Sequence, residues 1–298
     1  MKKQFFRALP LWASVLLLAA CGSSEDEGPS VPEVTTDFND AQSAAAGSVL
    51  KYKGQFFAIP SPIQAAILIR ETNLQYNPEL ILPLENSDMH VSRFQKALNM
   101  GVYGADLGYL SNFNNTTLNL AYFGQVQKTA EELSIKNNID PDLLRRFVEN
   151  VEQPDSLYAL NADLHKAINQ YLKDNEQNET ASLILAGGWL EALWLSLDKA
   201  EDHAELRKRI GEQGSGLTGL VTLLEPFEDP QVKGFRNGLL GLVDIFAGVS
   251  TGYQYVDPIT DPAAKTTYLK STTEVRLNNQ ILAEIRAKVT EIRNTIIQ

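Results

Sequence analysis

The sequence predicts an all-α fold: a single domain of about eight or nine antiparallel helices. Beyond about residue 38, apolar residues recur mostly every three or four positions, which is the period of one helix face. The polar stretches between these segments are short, which favours antiparallel neighbours. Strand patterns are confined to 47–59 and 251–255, and both stretches are short and flanked by residues that break strands.

The first 20 residues are predicted to be a cleaved signal peptide. Three basic residues precede an apolar run over 9–20, which is too short for an ordinary membrane-spanning helix and is typical of a secretory signal. The segment LAAC, residues 18–21, resembles the lipobox of bacterial lipoproteins, in which cleavage occurs before the cysteine and the cysteine carries the lipid. The resemblance implies a lipid anchor on Cys21, the only cysteine in the chain.

Residues 21–37 are predicted to be a lipidated, acidic, flexible tether, and residues 38–298 the helical domain. The stretch 22–37 has few apolar residues, two prolines and five acids, a composition that cannot bury enough surface to fold alone. Its cluster Glu25-Asp26-Glu27 resembles the acidic export signal of surface-exposed lipoproteins of the Bacteroidota. The resemblance implies an outer-membrane protein exposed at the cell surface, and a periplasm-facing protein with a merely soluble linker is the alternative.

The charge of the chain limits its partners. The full chain carries a net charge of −11, and without residues 1–20 it has 23 basic against 37 acidic residues. A strongly acidic protein is a poor partner for nucleic acid and for the surface of anionic lipid. We therefore expect membrane contact through the N-terminal lipid, with an envelope protein or a glycan as the candidate partner.

The helical segments begin at recognisable signals. A capping residue, or a proline at the first helical position, precedes several apolar stripes. The predicted segments cover 90–112 and 116–133, and further helices start near residues 140, 154, 178 and 229. The last segment, 274–298, carries apolar residues on a seven-residue repeat, which fits either a closing helix packed on the domain or a dimerising coiled coil.

Glycine and proline mark where helices are expected to stop. The stretch GEQGSGLTG, residues 211–219, predicts a flexible break, or a bend that allows close packing, between two helices. Prolines in 76–87 and 251–267 occur at intervals that no helix interior tolerates, which predicts two long loops. Loops on a rigid scaffold are frequent sites of function.

Two segments are more distinctive: NMGVYGADLGYLS at 99–111 and LAGGWLEALWLS at 185–196. In the first, glycines three and four positions apart would form a smooth strip that lets a neighbouring backbone or a ligand approach closely. Aligned at an offset of 85 residues, the segments pair Asp106 with Glu191 and Tyr109 with Trp194. This hints at duplicated helical hairpins stacked side by side.

The two acids and their aromatic neighbours are the candidate site residues, with two interpretations left open. In the structural interpretation each carboxylate is partly buried and paired with a polar group. In the functional one, acids and aromatics line a groove that binds sugar or peptide. The candidates are Tyr103, Asp106, Tyr109, Trp189, Glu191 and Trp194.

No sequence motif assigns a reaction. The three histidines are far apart and none lies in an HExxH arrangement, and no GxSxG is present. The sequence therefore predicts no catalytic residue, no metal site and no cofactor. It favours a non-catalytic binding or assembly role, and the alternative is a polysaccharide-acting hydrolase that uses the carboxylate pair.

Together with the lipobox, the segments GVYGADLGY and AGGWLEALW resemble an uncharacterised all-helical lipoprotein family of the Bacteroidota. The resemblance is loose over most of residues 21–298 and rests on these two short motifs. It implies the fold class and the location in the envelope, and it implies no activity.

Overall fold

Helices dominate the computed structural model, which describes residues 48–52, 55–59, 62–135, 142–262, 265–268 and 270–298. The predicted helical class is therefore confirmed for this part of the chain, with small antiparallel sheets added. All of these residues belong to one compact unit. The predicted signal peptide and tether, Cys21 included, lie outside the described residues.

The described residues form nine α-helices, one 3₁₀ helix and six short strands. The α-helices are α1 (Pro62–Glu71), α2 (Arg93–Leu110), α3 (Thr116–Glu132), α4 (Asp142–Glu149), α5 (Pro154–Asp174), α6 (Asn178–Leu197), α7 (Ala204–Leu224), α8 (Pro230–Phe246) and α9 (Asn279–Ile297). The 3₁₀ helix is Leu84–Met89. The strands are β1 (Ser48–Tyr52), β2 (Gln55–Ile59), β3 (Ser250–Gln254), β4 (Ile259–Asp261), β5 (Thr266–Tyr268) and β6 (Thr272–Arg276).

The centre of the fold is the contact between α2 and α6, and these helices run parallel. The Arg93 side chain donates to Thr180 at one end, and Asp106 faces Glu191 further along both helices. Between these points Gly187 lies against the backbone of Leu98. The antiparallel prediction is thus wrong for this pair. It holds for α2 and α3, where Lys96 pairs with Glu132 and, about two to three turns on, Tyr103 meets Tyr122.

Glycine is what allows α2 and α6 to touch. A methyl group built on Gly187 would overlap the carbonyl oxygen of Leu98, and one built on Gly101 would overlap that of Ile184. The glycines predicted to admit a neighbouring backbone therefore do so at Gly101. Gly108 is less critical, because a methyl group there would make ordinary contacts with Ala66 and Asn161 at 3.5 Å.

Helix α6 is the core helix of the domain. It is long and apolar enough to cross a membrane by length and composition alone, but nearly all of it is buried inside the protein. Neighbouring helices pack against it on several sides: α1, α2, α5, α7 and α9. Helix α6 is apolar because neighbouring helices cover it on nearly every side.

Two boundaries differ from the sequence-based expectation. Helix α7 runs unbroken through 211–219, so the predicted break is wrong. The close packing of the alternative prediction is present, with Val275 against Gly211 and Phe246 against Gly214. The last helix begins at Asn279 rather than near residue 274, because Asn278 caps it by accepting a hydrogen bond from the Ile281 N–H. Residues 272–276 form strand β6 instead.

The stripe on α9 packs against the rest of the domain. Its buried residues are Leu282, Ile285, Val289, Ile292, Arg293 and Ile296. Because these positions are covered by the protein's own helices, the stripe has the role of a closing helix.

Candidate functional site

Asp106 and Glu191 meet inside the protein, on the parallel helices α2 and α6. Both residues are 0% exposed. Arg293 of α9 holds Glu191 through two hydrogen bonds, Nε to Oε2 and Nη2 to Oε1, each 2.6 Å long. Oδ2 of Asp106 accepts a hydrogen bond of 2.9 Å from the Leu82 N–H. We call Asp106, Glu191 and Arg293 the core charge cluster.

A single proton makes this cluster electrically neutral. Burial, and then the negative charge of Glu191, raise the pKa of Asp106 well above its usual range. Oδ1 of Asp106 receives no hydrogen bond from an N–H or O–H group, and the Glu191 side chain lies beside Asp106. A proton on Asp106 would leave one negative charge, that of Glu191, which Arg293 balances.

The pKa values of the two partners fit this assignment. Burial also raises the pKa of Glu191, although Arg293 and the hydrogen bond from Asp106 oppose the rise. For Arg293, burial disfavours the charged guanidinium, but pairing with Glu191 outweighs it and the pKa of Arg293 is raised. Arg293 also lies over the Trp194 ring, 4.9 Å from its centroid.

The side chains around this cluster bind a segment of the chain itself. Residues 77–83, within the first predicted loop, turn at 77–80, where the Leu80 N–H donates to the Asn77 carbonyl, and bury Leu80, Ile81 and Leu82 against the helices. Buried backbone groups outside a helix or sheet need other partners. Trp194 Nε1 and Arg293 Nη2 both donate to the Leu80 carbonyl, at 2.9 and 3.1 Å.

Further backbone groups of the same segment bond to side chains that surround the cluster. The Leu82 N–H donates to Asp106, and the Leu82 carbonyl accepts from the Tyr122 hydroxyl at 2.7 Å. At the two ends the Asn77 N–H donates to the Tyr109 hydroxyl, and the Tyr103 hydroxyl donates to the carbonyl of residue 83 at 3.4 Å. These acids and aromatics thus hold the backbone of a loop of the chain itself, residues 77–83.

The structure brings five of the six candidate residues together around this segment. Trp189 stands apart: its Nε1 donates to the Gln213 side chain at 3.0 Å, between α6 and α7. Sequence reasoning missed Arg293, which pairs with Glu191, and Tyr122, which donates to the Leu82 carbonyl. The signal for Arg293 was a cation within the apolar stripe of 274–298, although nothing in that helix alone indicates its partner.

A second feature faces solvent. The described residues of this region, 250–262, 265–268 and 270–276, form a ribbon, which we call the β-arm, in which β3 pairs with β6 and β4 pairs with β5, both antiparallel. Its base touches α7 where Val275 meets Gly211. The large apolar side chains exposed on it are Tyr253 (69%), Tyr255 (65%), Val256 (40%), Ile259 (58%) and Tyr268 (46%).

The comparisons with known proteins add no relatives: no family model, no curated protein and no solved structure matches this chain. Among the residues that the structure describes, no group of three His, Cys, Asp or Glu side chains could hold a metal ion.

Proposed function

We propose that this protein is a lipid-anchored cell-envelope protein with a non-catalytic binding or assembly role, held at the outer surface by Cys21 and the acidic tether. The anchor and the location rest on the lipobox, the export-signal resemblance and the family resemblance. The binding role rests on one observation: the β-arm presents five large apolar side chains to solvent.

A ribbon of this kind is suited to contact with a partner. Isolated two-stranded ribbons are marginally stable in water, and contiguous exposed apolar patches mark interaction surfaces. Tyrosine supplies a large apolar face together with a hydroxyl group, which suits both protein and glycan surfaces. The three acids and three bases of 250–276 balance, so the β-arm is neutral in an acidic protein. An envelope protein or a glycan is the proposed partner.

No observation favours the hydrolase alternative. A glycosidase needs two carboxyl groups that contact the glycosidic bond from either side. Asp106 and Glu191 are 0% exposed, both Glu191 oxygens accept from Arg293, and Oδ2 of Asp106 accepts from the Leu82 N–H. The pair offers no access to a polysaccharide in this conformation.

The anchor is tested by Cys21→Ala. We expect the variant to lose the lipid and to leave the membrane fraction, whereas the wild type stays there and is cut by protease added to intact cells. The matched control is Ser24→Ala, which should behave as the wild type. Mass spectrometry and fractionation are the measurements, and an unchanged mass and fractionation for Cys21→Ala would refute the anchor.

The binding role of the β-arm is tested by the double substitution Tyr253→Ser/Tyr255→Ser. Partner recovery from cross-linked outer membranes should fall at least about tenfold, because buried tyrosines are frequent hot spots in interfaces. Stability should change by less than about 0.5 kcal/mol, since both side chains are exposed.

The control is Met89→Ser/Val91→Ser, which removes two exposed apolar side chains (50% and 78% exposed) outside the β-arm. Recovery of a defined partner should be unchanged in this control. Equal recovery in the wild type and in both double variants would contradict a binding role for the β-arm.

A further inference from the structure

A cleft of about 250 Å³ lies between α1, α6 and α7 on the far side of α6 from the core charge cluster. Helices α1 and α7 form its sides, and α6 forms its floor. The floor is apolar and includes Trp189 and Leu193, and Ile210 of α7 continues this apolar lining; all three are buried. Ile67 and Leu68 of α1 extend this apolar surface toward the mouth.

The hydrogen-bonding groups of the floor are already used within the protein. The indole N–H of Trp189 donates to Gln213, whose amide in turn donates to the Arg209 carbonyl at 3.2 Å. The Ser196 hydroxyl donates to the Ala192 carbonyl at 2.7 Å. A ligand would therefore find an apolar floor and would make its polar contacts at the mouth.

The charges at the mouth favour a cation. Arg209 is committed to Glu212, with 2.9 Å between Nη1 and Oε2. The Glu71 side chain, across the cleft on α1, has no hydrogen bond or ion pair with a described residue. An anion would meet one paired base and two acids, whereas a cation would meet an unpaired carboxylate and could displace part of the Arg209 pairing.

The size of the cleft limits the ligand. Its volume is slightly below the ~300–1,000 Å³ of sites for drug-sized ligands. The matching molecule is compact, with a single ring or a short branched chain behind the charged group. We propose that this cleft binds a small organic cation, with its apolar body on Trp189 and its ammonium group at Glu71.

Three probes of similar size test the charge preference: phenethylamine, 2-phenylethanol and phenylacetate. The full-length chain is labelled with 5-fluorotryptophan and titrated while its ¹⁹F resonances are followed, with assignments made from Trp12→Phe and Trp194→Phe. We expect phenethylamine to shift the Trp189 resonance saturably and to leave that of Trp194 in place. The alcohol should bind at least about tenfold more weakly, and phenylacetate more weakly still.

Variants at the mouth and on the floor locate the site. Glu71→Gln should reduce phenethylamine binding to the level of the alcohol, whereas Glu79→Gln, which removes the same charge outside the cleft, should not. Ala65→Phe should fill the cleft and abolish binding of every probe. An unchanged melting temperature shows that each variant is folded, since these positions lie on the exposed or half-exposed faces.

Each contrary outcome overturns the inference in a recognisable way. Equal affinity for the three probes would show that the cleft binds apolar molecules without preference for a cation. Tighter binding of phenylacetate would assign the site to anions through Arg209. If no probe shifts the Trp189 resonance saturably, the cleft is not a binding site for these molecules. None of these results bears on the β-arm or on the Cys21 anchor, whose tests are separate.

Discussion

Alanine at Gly187 is expected to destabilise the protein by about 3 kcal/mol or more, which is at the upper end of the cost of overpacking a core. The added methyl group would overlap the carbonyl oxygen of Leu98, a backbone atom that cannot move without shifting α2. Because the α2–α6 contact is the centre of the fold, the two helices must separate and lose contacts along their length. Urea unfolding followed by circular dichroism is the measurement.

The matched controls are Gly124→Ala and Gly234→Ala, which lie on α3 and α8 with no atom within 4 Å of the added methyl group. Both should stabilise the protein by about 0.4–1 kcal/mol, because alanine restricts the unfolded chain and favours helix. The opposite signs separate close packing from helix propensity. A Gly187→Ala variant as stable as the wild type would show that α2 and α6 do not touch there.

Methionine at Arg293 is expected to destabilise the protein by about 3–5 kcal/mol, the cost of leaving a buried charge without its partner. The substitution removes the guanidinium that balances Glu191 and one of the two donors to the Leu80 carbonyl. Arg286→Met, on the same helix, is the control. Its half-exposed pair with Glu201 predicts a loss of about 0–1 kcal/mol.

A second substitution separates the lost charge balance from lost packing. Combining Arg293→Met with Glu191→Met removes both charges, and the double variant should be less destabilised than Arg293→Met alone. Additive losses in this double-mutant cycle would contradict the pairing of Glu191 with Arg293.

The proton on Asp106 gives the same cluster a pH dependence. Because the pKa of Asp106 is raised in the folded protein, its contribution to stability is present below the unfolded pKa of about 4 and is lost as the pH rises toward the folded pKa. Asp106→Asn keeps a neutral group that can accept from Leu82 and donate to Glu191. The stability of Asp106→Asn relative to the wild type should therefore increase between pH 4 and pH 7, and a constant difference would contradict the proton assignment.

Much of the fold follows from local patterns in the sequence. Helix starts at Pro154, Asn178 and Pro230 follow from prolines, capping residues and the onset of apolar stripes, and the structure places the helices there. These signals involve residues within one or two helical turns of each other, so they can be read from the sequence without knowledge of tertiary contacts. The boundaries that differed, in 211–219 and near residue 274, are those where a distant contact outweighs local preference: glycine in α7 serves packing against Val275 rather than a break.

The sequence indicated the acids and aromatics of the candidate site but not the chain segment that they hold. Asp106 and Glu191 stand out because acids are rare in such apolar helices, and their pairing at an offset of 85 residues matches their contact across α2 and α6. The loop that these side chains hold was not visible. Residues 77–83 contain prolines and lie in a predicted loop, and only the packed helices show that Leu80, Ile81 and Leu82 are buried and that the loop is held by its backbone.

The sequence by itself determined the helical class, most helix starts and the residues that stand out chemically, because propensity, capping and apolar periodicity are local properties of the chain. Tertiary structure alone decided that α2 and α6 run parallel, that Arg293 joins Glu191 from 102 residues away, and that the β-arm is exposed. The physical reason is that charge pairing and burial depend on which surfaces meet across the fold, and residues distant in the chain supply those surfaces.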